Sequence, residues 1–361
     1  MRKLPIISVT LLCLMQPLPA NATAGTKCPK IGATKTVKTA TFVCTKAGKV
    51  SVWKKKKLSS NSGSTTIAES AKTLETLRIT QTIGLVKAPP PDATSNQGGP
   101  WATRTVLRTS TDGITFSGRE VIMDQSGVPN LLATSSGVLY AYFQDWANGN
   151  IISVAMKQPG PSSWQYYKVE IKGINISPGG ANGVDPSAIE LSDGRIRIFW
   201  MQRLNGIRIY SATSTLGTTN GISFVYDGGF ALETSVGLYD PTVVQTTSGW
   251  SMWVSADNTA RLIYATSVDG LRFTAQSSNL SLANQGAFPW SAARVSNTEV
   301  RLLTSILGPG GADGVIYRST DGGASFQELG RGALPAGVGG DAAITYQPST
   351  GTWYQLYLER M

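Results

Sequence analysis

The sequence predicts an all-β fold: a five-bladed β-propeller closed by pairing of its N- and C-terminal strands, preceded by a small disulfide-linked β module. Three observations predict it. Gly and Pro are abundant, at 39 and 18 of 361 residues, and long amphipathic helical patterns are nearly absent, which favours short strands joined by turns. From residue 101 onward, strand-like segments recur in three columns with a period near fifty residues, the length of a four-stranded blade with its loops. A short turn of the form Ser/Thr-x-Asp/Asn-Gly returns after the third column.

Residues 1–22 read as an export signal. Arg2 and Lys3 start it, Leu4 to Leu18 is mostly apolar, and Ala20-Asn21-Ala22 offers small residues for cleavage. The apolar run is too short for a membrane anchor and is broken by Pro5, Gln16 and Pro17. The protein is therefore expected to be secreted or associated with the cell surface.

Residues 23–57 form a small basic module with ten Lys and no acid. Of the three Cys in the chain, Cys13 lies in the export signal, which leaves Cys28 and Cys44 as a possible pair. A disulfide between them would staple two or three short strands; a core this small needs one, and an extracytoplasmic setting permits it. The positive charge has two readings that stand side by side: attachment to an anionic cell-wall polymer or membrane surface, or a solvated spacer. Residues 58–100 read as a linker and an extended loop. Ser59 to Ser64 is flexible and polar, residues 66–77 suit one short helix, and four Pro fall between Lys87 and Pro100.

Residues 101–361 carry the repeat. The first column opens a strand at Val128-Pro129, Asp185-Pro186, Asp240-Pro241, Phe288-Pro289 and Asp341-Ala342, in steps of 57, 55, 48 and 53 residues. The second is an aromatic strand at residues 138–144, 195–202, 250–255, 299–305 and 352–359. The third spans 151–156, 207–213, 262–267, 315–319 and 105–110. The repeats begin with a third-column strand and end with a second-column strand. The last blade therefore takes its inner strands from the C-terminus and its outer strands, around 104–110 and 114–121, from the start of the repeat, so no open edge remains.

The recurring turn reads Ser110-Thr111-Asp112-Gly113, Ser267-Val268-Asp269-Gly270 and Ser319-Thr320-Asp321-Gly322, with Thr218-Thr219-Asn220-Gly221 as the Asn version. Asp-Gly and Asn-Gly accept positive φ cheaply, the Ser or Thr two residues earlier is placed to bond the turn backbone, and an aromatic follows to pack beneath. These copies resemble the Asp-box of sialidase-type propellers, which joins the third and fourth strands of a blade. Asp112, Asn220, Asp269 and Asp321 are accordingly expected to be structural; isolated Asp-Gly turns lack the ligand count that calcium needs.

Charge and composition exclude several functions. The net charge of +10 resides wholly in the first 57 residues, since residues 58–361 carry 20 basic and 22 acidic side chains. The propeller is thus not a nucleic-acid binder by composition. The chain has no His, which removes His bases, His metal ligands and Ser-His-Asp triads. No metal site and no cofactor are expected.

Chemistry is expected on the face where inner strands begin. Asp185, Asp240 and Asp341 start three of them and should converge on the axis. Asp145, Trp146, Arg203 and Asp257 follow second-column strands, and Glu233, Tyr239 and Trp290 lie before or at inner-strand starts. Carboxylates beside aromatics in a concave site suit sugars, whose rings stack on Trp and Tyr while carboxylates bond hydroxyls. Two carboxylates also suffice for glycoside hydrolysis without His or metal. The bland alternative is that Asp-Pro at a strand start is a turn device, and it repeats.

The five-blade count and the Asp-Pro starts look like the arabinanase and xylosidase propellers of glycoside hydrolase family 43. That resemblance implies two Asp and one Glu in the active site. Asp185 and Asp240 match the Asp-Pro pattern, Glu233 is the nearest Glu for the acid, and Val128 stands where the first blade of that family has its base. Sialidases hold their substrate with an arginine triad, and the matching place here, Gly127-Val128-Pro129-Asn130, has no Arg. The expected function is a secreted propeller that recognises a glycan or polysaccharide in its funnel, as a glycoside hydrolase or, alternatively, as a non-catalytic envelope or adhesion propeller.

Overall fold

The computed structural model describes residues 27–28, 30–31, 34–37, 40–47, 50–55, 73–91, 93, 99–175, 183–204, 206–257, 261–276, 287–308, 311–331, 334–335 and 340–361. The export signal expected at 1–22 and the Ser-rich stretch within 58–72 lie outside them. The chain divides into two compact units, Met1–Ile67 and Ala68–Met361.

The first unit contains an antiparallel sheet of β1 (Thr34–Val37), β2 (Ala40–Ala47) and β3 (Val50–Lys55), in that order. Cys28 and Cys44 are joined by a disulfide. Phe42, Cys44 and Trp53 are buried together with Cys28 against them, and Cys28 N–H donates to the Ser51 carbonyl at 3.0 Å. A core of so few side chains is the setting in which a covalent staple matters most.

The second unit is a five-bladed β-propeller. It starts with a helical turn at residues 73–77 and a two-residue strand, β4 (Arg78–Ile79). Next come β5 (Thr103–Ser110) and β6 (Ser117–Asp124), whose sheet partners lie at the far end of the chain. Blade 1 follows with β7 (Ser126–Ala133), β8 (Leu139–Asp145), β9 (Ile151–Lys157) and β10 (Gln165–Lys168). The chain then crosses to the next blade through β11 (Glu170–Lys172). Blade 2 is β12 (Val184–Glu190), β13 (Ile196–Arg203), β14 (Ile207–Ser214) and β15 (Ser223–Tyr226). Blade 3 is β16 (Leu238–Thr246), β17 (Gly249–Ala256), β18 (Arg261–Ser267) and β19 (Thr274–Ala275). Blade 4 is β20 (Ala287–Arg294), β21 (Val300–Gly308), β22 (Gly311–Ser319) and β23 (Gln327–Arg331). The last two strands, β24 (Ala342–Gln347) and β25 (Thr352–Arg360), pair with β5 and β6 in the order β24-β25-β5-β6. All eight residues of β5 find antiparallel partners in β25, from Trp353↔Ser110 to Arg360↔Thr103.

Strand alternation explains how the blades stack. Successive side chains of a strand point to opposite faces. In β8, Tyr140 and Tyr142 enter one buried cluster with Ile198, Trp200 and Phe224 of blade 2. Ala141 and Phe143 enter another with Leu107, Ile122 and Leu356 of blade 5. Phe199 and Met201 pack against Met252 and Val254 between blades 2 and 3. Trp253 meets Leu302 and Tyr317 between blades 3 and 4. Leu303 and Ile316 meet Ile344 and Trp353 between blades 4 and 5. Every blade thus buries both faces, and the ring is continuous.

The repeated turns act as clasps between blades. Ser110 and Asp112 bond each other, and Asp112 Oδ1 accepts the Ile114 and Thr115 N–H groups, both at 2.8 Å. The same pattern recurs at Ser267 with Asp269 and at Ser319 with Asp321. In the Asn version the partner of Asn220 is Ser214, six residues back rather than two. The second strand of the preceding blade grips each turn. Tyr142 Oη donates to the Gly221 carbonyl at 2.8 Å, Arg197 to Asp269 O at 3.2 Å and Arg301 to Asp112 O at 2.6 Å, while Phe326 packs edge-on against Trp253.

Candidate functional site

The inner strands present their starts to one end of the axis. In the first four blades the ladder to the second strand slips at the proline position, between Gly127 and Asn130, Val184 and Ser187, Tyr239 and Thr242, and Pro289 and Ser291. A proline has no N–H for a ladder, so it is confined to edge strands and bulges, and the inner strand of a blade is such an edge. The Asp-Pro pairs therefore lie at bulges inside the strands, not in turns ahead of them.

These bulges tip Val128, Asp185 and Asp240 toward the axis with φ of 44°, 56° and 50°. Asp185, Asp240 and Asp341 line one axial cavity of about 20 Å³ together with Val128, Trp290 and three prolines, Pro129, Pro186 and Pro241. Asp240 N–H donates to Asp185 Oδ2 at 3.3 Å, linking blades 2 and 3. All three residues are partly buried, and they share one narrow cavity. Desolvation, reinforced by Asp341, raises the Asp185 carboxyl to about 7, with the Asp240 N–H and the Arg203 charge pulling the other way. Desolvation raises Asp341 to about 6. Asp240 is pushed well above the ordinary carboxylate range by desolvation and by its two acidic neighbours. Among the described residues, no cluster of three or more His, Cys, Asp or Glu is arranged to hold a metal ion.

Other residues expected at this face are engaged elsewhere. Asp145 is fully buried and caps its own turn, accepting Asn148 N–H at 3.0 Å and Asn148 Nδ2 at 2.9 Å; burial raises its carboxyl. Trp146 donates to the Ala88 carbonyl at 3.1 Å, with the Lys87 ammonium 4.4 Å over its ring and Trp101 edge-on at 5.4 Å. Its ring is therefore occupied by the chain's own residues. Glu233 is an exposed carboxylate paired with Arg208 at 3.4 Å and does not line the axial cavity. Asp257 is exposed and holds its own loop, accepting Gly237 N–H at 2.9 Å and facing Arg261 at 3.4 Å. Arg203 is exposed at the end of β13 and reaches the site only through its field on Asp185. Tyr239, beside Asp240, is half-buried against the cluster between blades 2 and 3.

A strap that sequence reasoning missed borders this end of the axis. Gln125, buried with φ of 50°, accepts the N–H groups of Val86 and Lys87, both at 2.9 Å, and donates to the carbonyls of Lys87 and Trp101. Asp124 accepts Gly84 N–H at 2.6 Å. Pro100 lies against Gly127, where an added Cβ would meet it at 3.2 Å. Nothing in the local sequence marks Gln125 as this anchor, because its partners lie 24 to 39 residues away.

No protein-family model matches the chain, and no curated protein matches it by sequence. Solved structures that resemble the fold include a thermostable family-43 glycoside hydrolase at 12% identity, covering 65% of this chain and 89% of that one with a TM-score of 0.45. A family-43 β-1,3-galactosidase with galactodeoxynojirimycin matches at 11% identity, 65% and 90% coverage and a TM-score of 0.46. A β-xylosidase matches at 11% identity, 65% and 91% coverage and a TM-score of 0.46.

Proposed function

We propose that this is an exported propeller that recognises a glycan at the axial funnel, with Asp185, Asp240 and Asp341 as the groups that meet sugar hydroxyls and Trp290 as the apolar wall. The observation that carries this reading is the convergence of three carboxyls from three different blades on one cavity. The bulge itself does not require them. Val128 occupies the same backbone position in blade 1 at φ 44°, a costly conformation for a β-branched residue. Positive φ favours Asp over Val at 185 and 240, but Asp341 is not among the positive-φ residues and still brings a third carboxyl to the cavity. Burying carboxyls side by side raises their proton affinity at a cost in stability, and such arrangements cluster at functional sites.

The stronger form of the proposal is hydrolysis. A proton donor and an ionised carboxylate must coexist, and neighbouring acids of unequal proton affinity meet that need. Asp185, Asp240 and Asp341 are all raised and form one interacting set, in which one carboxyl holds the proton while another is ionised. The second reading is binding without cleavage. It is favoured by the small axial volume, about 20 Å³, and by the engagement of Glu233 with Arg208 outside the funnel.

The test uses the full chain with a panel of plant, bacterial and sialylated glycans, scoring both binding by calorimetry and release of sugars. Hydrolysis predicts product from at least one glycan and a loss of about 100-fold or more in Asp185→Asn and Asp240→Asn, with binding kept. Binding without product selects the second reading. Absence of both binding and product across the panel rejects the funnel as a glycan site.

A further inference from the structure

The propeller exposes seven large hydrophobic side chains among the described residues, and three of them fall within four positions of the strap. These are Ile83, Leu85 and Val86, which are 77%, 71% and 64% exposed. The other four, Leu204, Leu216, Val225 and Val268, are scattered singly. Single exposed apolar residues are ordinary on a protein surface, but a contiguous group marks an interaction site. The strap presents this group by turning its backbone inward. Thr82 N–H donates to Met123 Sδ at 2.9 Å, and the Thr82 carbonyl accepts Asp124 N–H at 3.1 Å. With the bonds of Gly84, Val86 and Lys87 to Asp124 and Gln125, four of the six N–H groups from Thr82 to Lys87 are satisfied by side chains of the propeller. Unpaired backbone groups are what make irregular chain costly in an apolar medium, and this segment has few to desolvate.

Beside the ridge lies an open groove of about 530 Å³, bounded by Ile83 and Val86. Among its described lining residues the only charged side chains are Arg78 and Lys168, both basic. Glu75 stands 3.8 Å from Arg78, but it is itself 76% exposed, and so loose a surface pair leaves the cation open to other partners. Lys87, next in the chain after Val86, adds a third positive charge above the Trp146 ring. We propose that ridge and groove dock the propeller on an anionic phospholipid bilayer. Ile83, Leu85 and Val86 enter the acyl boundary, and Arg78 and Lys168 meet lipid phosphates. Charge complementarity selects an anionic surface. The convex aliphatic ridge selects a bilayer over a soluble polyanion, which would gain nothing from it. Three aliphatic side chains alone give weak, reversible attachment, as do a few cations alone; the two signals together make an anchor. No funnel residue takes part, so the inference stands apart from the glycan reading.

The experiment places the full chain beneath lipid monolayers and mixes it with vesicles, each made of phosphatidylglycerol or of phosphatidylcholine. In about 1 M salt, where the screening length falls to about 3 Å, adsorption through the Lys-rich residues 23–57 is suppressed. The parent should still raise the surface pressure of a phosphatidylglycerol monolayer there, and the triple variant Ile83→Ser, Leu85→Ser and Val86→Ser should not. At ordinary salt the triple variant should bind phosphatidylglycerol vesicles roughly tenfold or more weakly than the parent. Arg78→Gln with Lys168→Gln should weaken that binding several-fold. Arg318→Gln with Arg331→Gln, which removes the same charge from blade 4, should not. Circular dichroism melts verify that each variant is folded. A parent that raises no pressure overturns the proposal, as does a rise that survives the triple variant or equal losses in the two charge variants. Full release from vesicles by soluble polyphosphate would make the partner a polyanion instead. A dimer seen by light scattering and lost in the triple variant would make it a second copy of the chain. Either result also overturns the bilayer.

Discussion

Gly270 illustrates how a single residue serves both the turn and the packing of a blade. Its φ is +70°, and a Cβ there would lie 2.5 Å from the Trp250 ring. Gly118 has a similar φ of +84° but open space around it. The two positions separate backbone strain from overpacking. Gly118→Ala should cost about 1 kcal/mol through strain alone. Gly270→Ala should cost about 2–4 kcal/mol, because the indole must also move. Urea denaturation of the two variants beside the parent checks this. Equal losses would show that the contact with Trp250 contributes nothing. The Ser-x-Asp-Gly spacing made the turn legible in the sequence, since the bonds that build it are local. The ring that covers the glycine was not legible, and neither was the Arg197 or Arg301 grip from the blade before, because those contacts depend on how blades stack.

At the scale of elements, long strands were readable and short ones were not. The inner and second strands carry five or more residues with aromatic or β-branched alternation, so their columns stand out. β4 and β11 have two and three residues and carry no period at all; they form because the outer edges of blades 1 and 2 offer unpaired backbone. β11 is also parallel to β15, a pairing that no hairpin signal announces. The phase of the repeat was the most informative feature, since it required β25 to meet β5. A chain ending after Gly351 would leave β24 without a partner and β5 paired only with β6, and would expose the clusters on either side of blade 5. It should show no cooperative melting transition. Removing residues 1–67, which form a separate unit, should leave the propeller's transition in place. Circular dichroism melts of the two truncations make the comparison. A cooperative transition in the C-terminal truncation would mean that closure of the ring contributes little to its stability.

For the molecule as a whole, the absence of His turns pH into a selective probe of the funnel. Apart from the α-amino group, no ordinary side chain titrates between about pH 5.5 and 8 in a chain without His. The carboxyls raised by burial do: Asp341 to about 6, Asp185 to about 7 and Asp240 well above the ordinary range, against a usual value of 3.8. Each binds its proton more tightly folded than unfolded. Between about pH 4 and 7 the native state therefore holds more protons than the unfolded chain, and stability falls as pH rises through that window. Asp112 and Asp321 have the opposite sign. Their turns lower them to about 2, so what they contribute is present above about pH 4 and lost only as pH drops toward 2. The melting temperature should thus peak near pH 4–5 and decline by several degrees toward pH 8. The triple variant Asp185→Asn, Asp240→Asn and Asp341→Asn should flatten most of the decline, leaving Asp145, whose carboxyl burial also raises. If the funnel cleaves glycans, the same titration sets its rate, because hydrolysis fails once the proton on the donor carboxyl is lost. The alkaline limb of activity and the loss of stability would then move together in the variants. A melting temperature that stays level from pH 5 to 8 would mean that the three funnel carboxyls ionise as ordinary surface acids. The acid–base reading of the funnel would fall with that result.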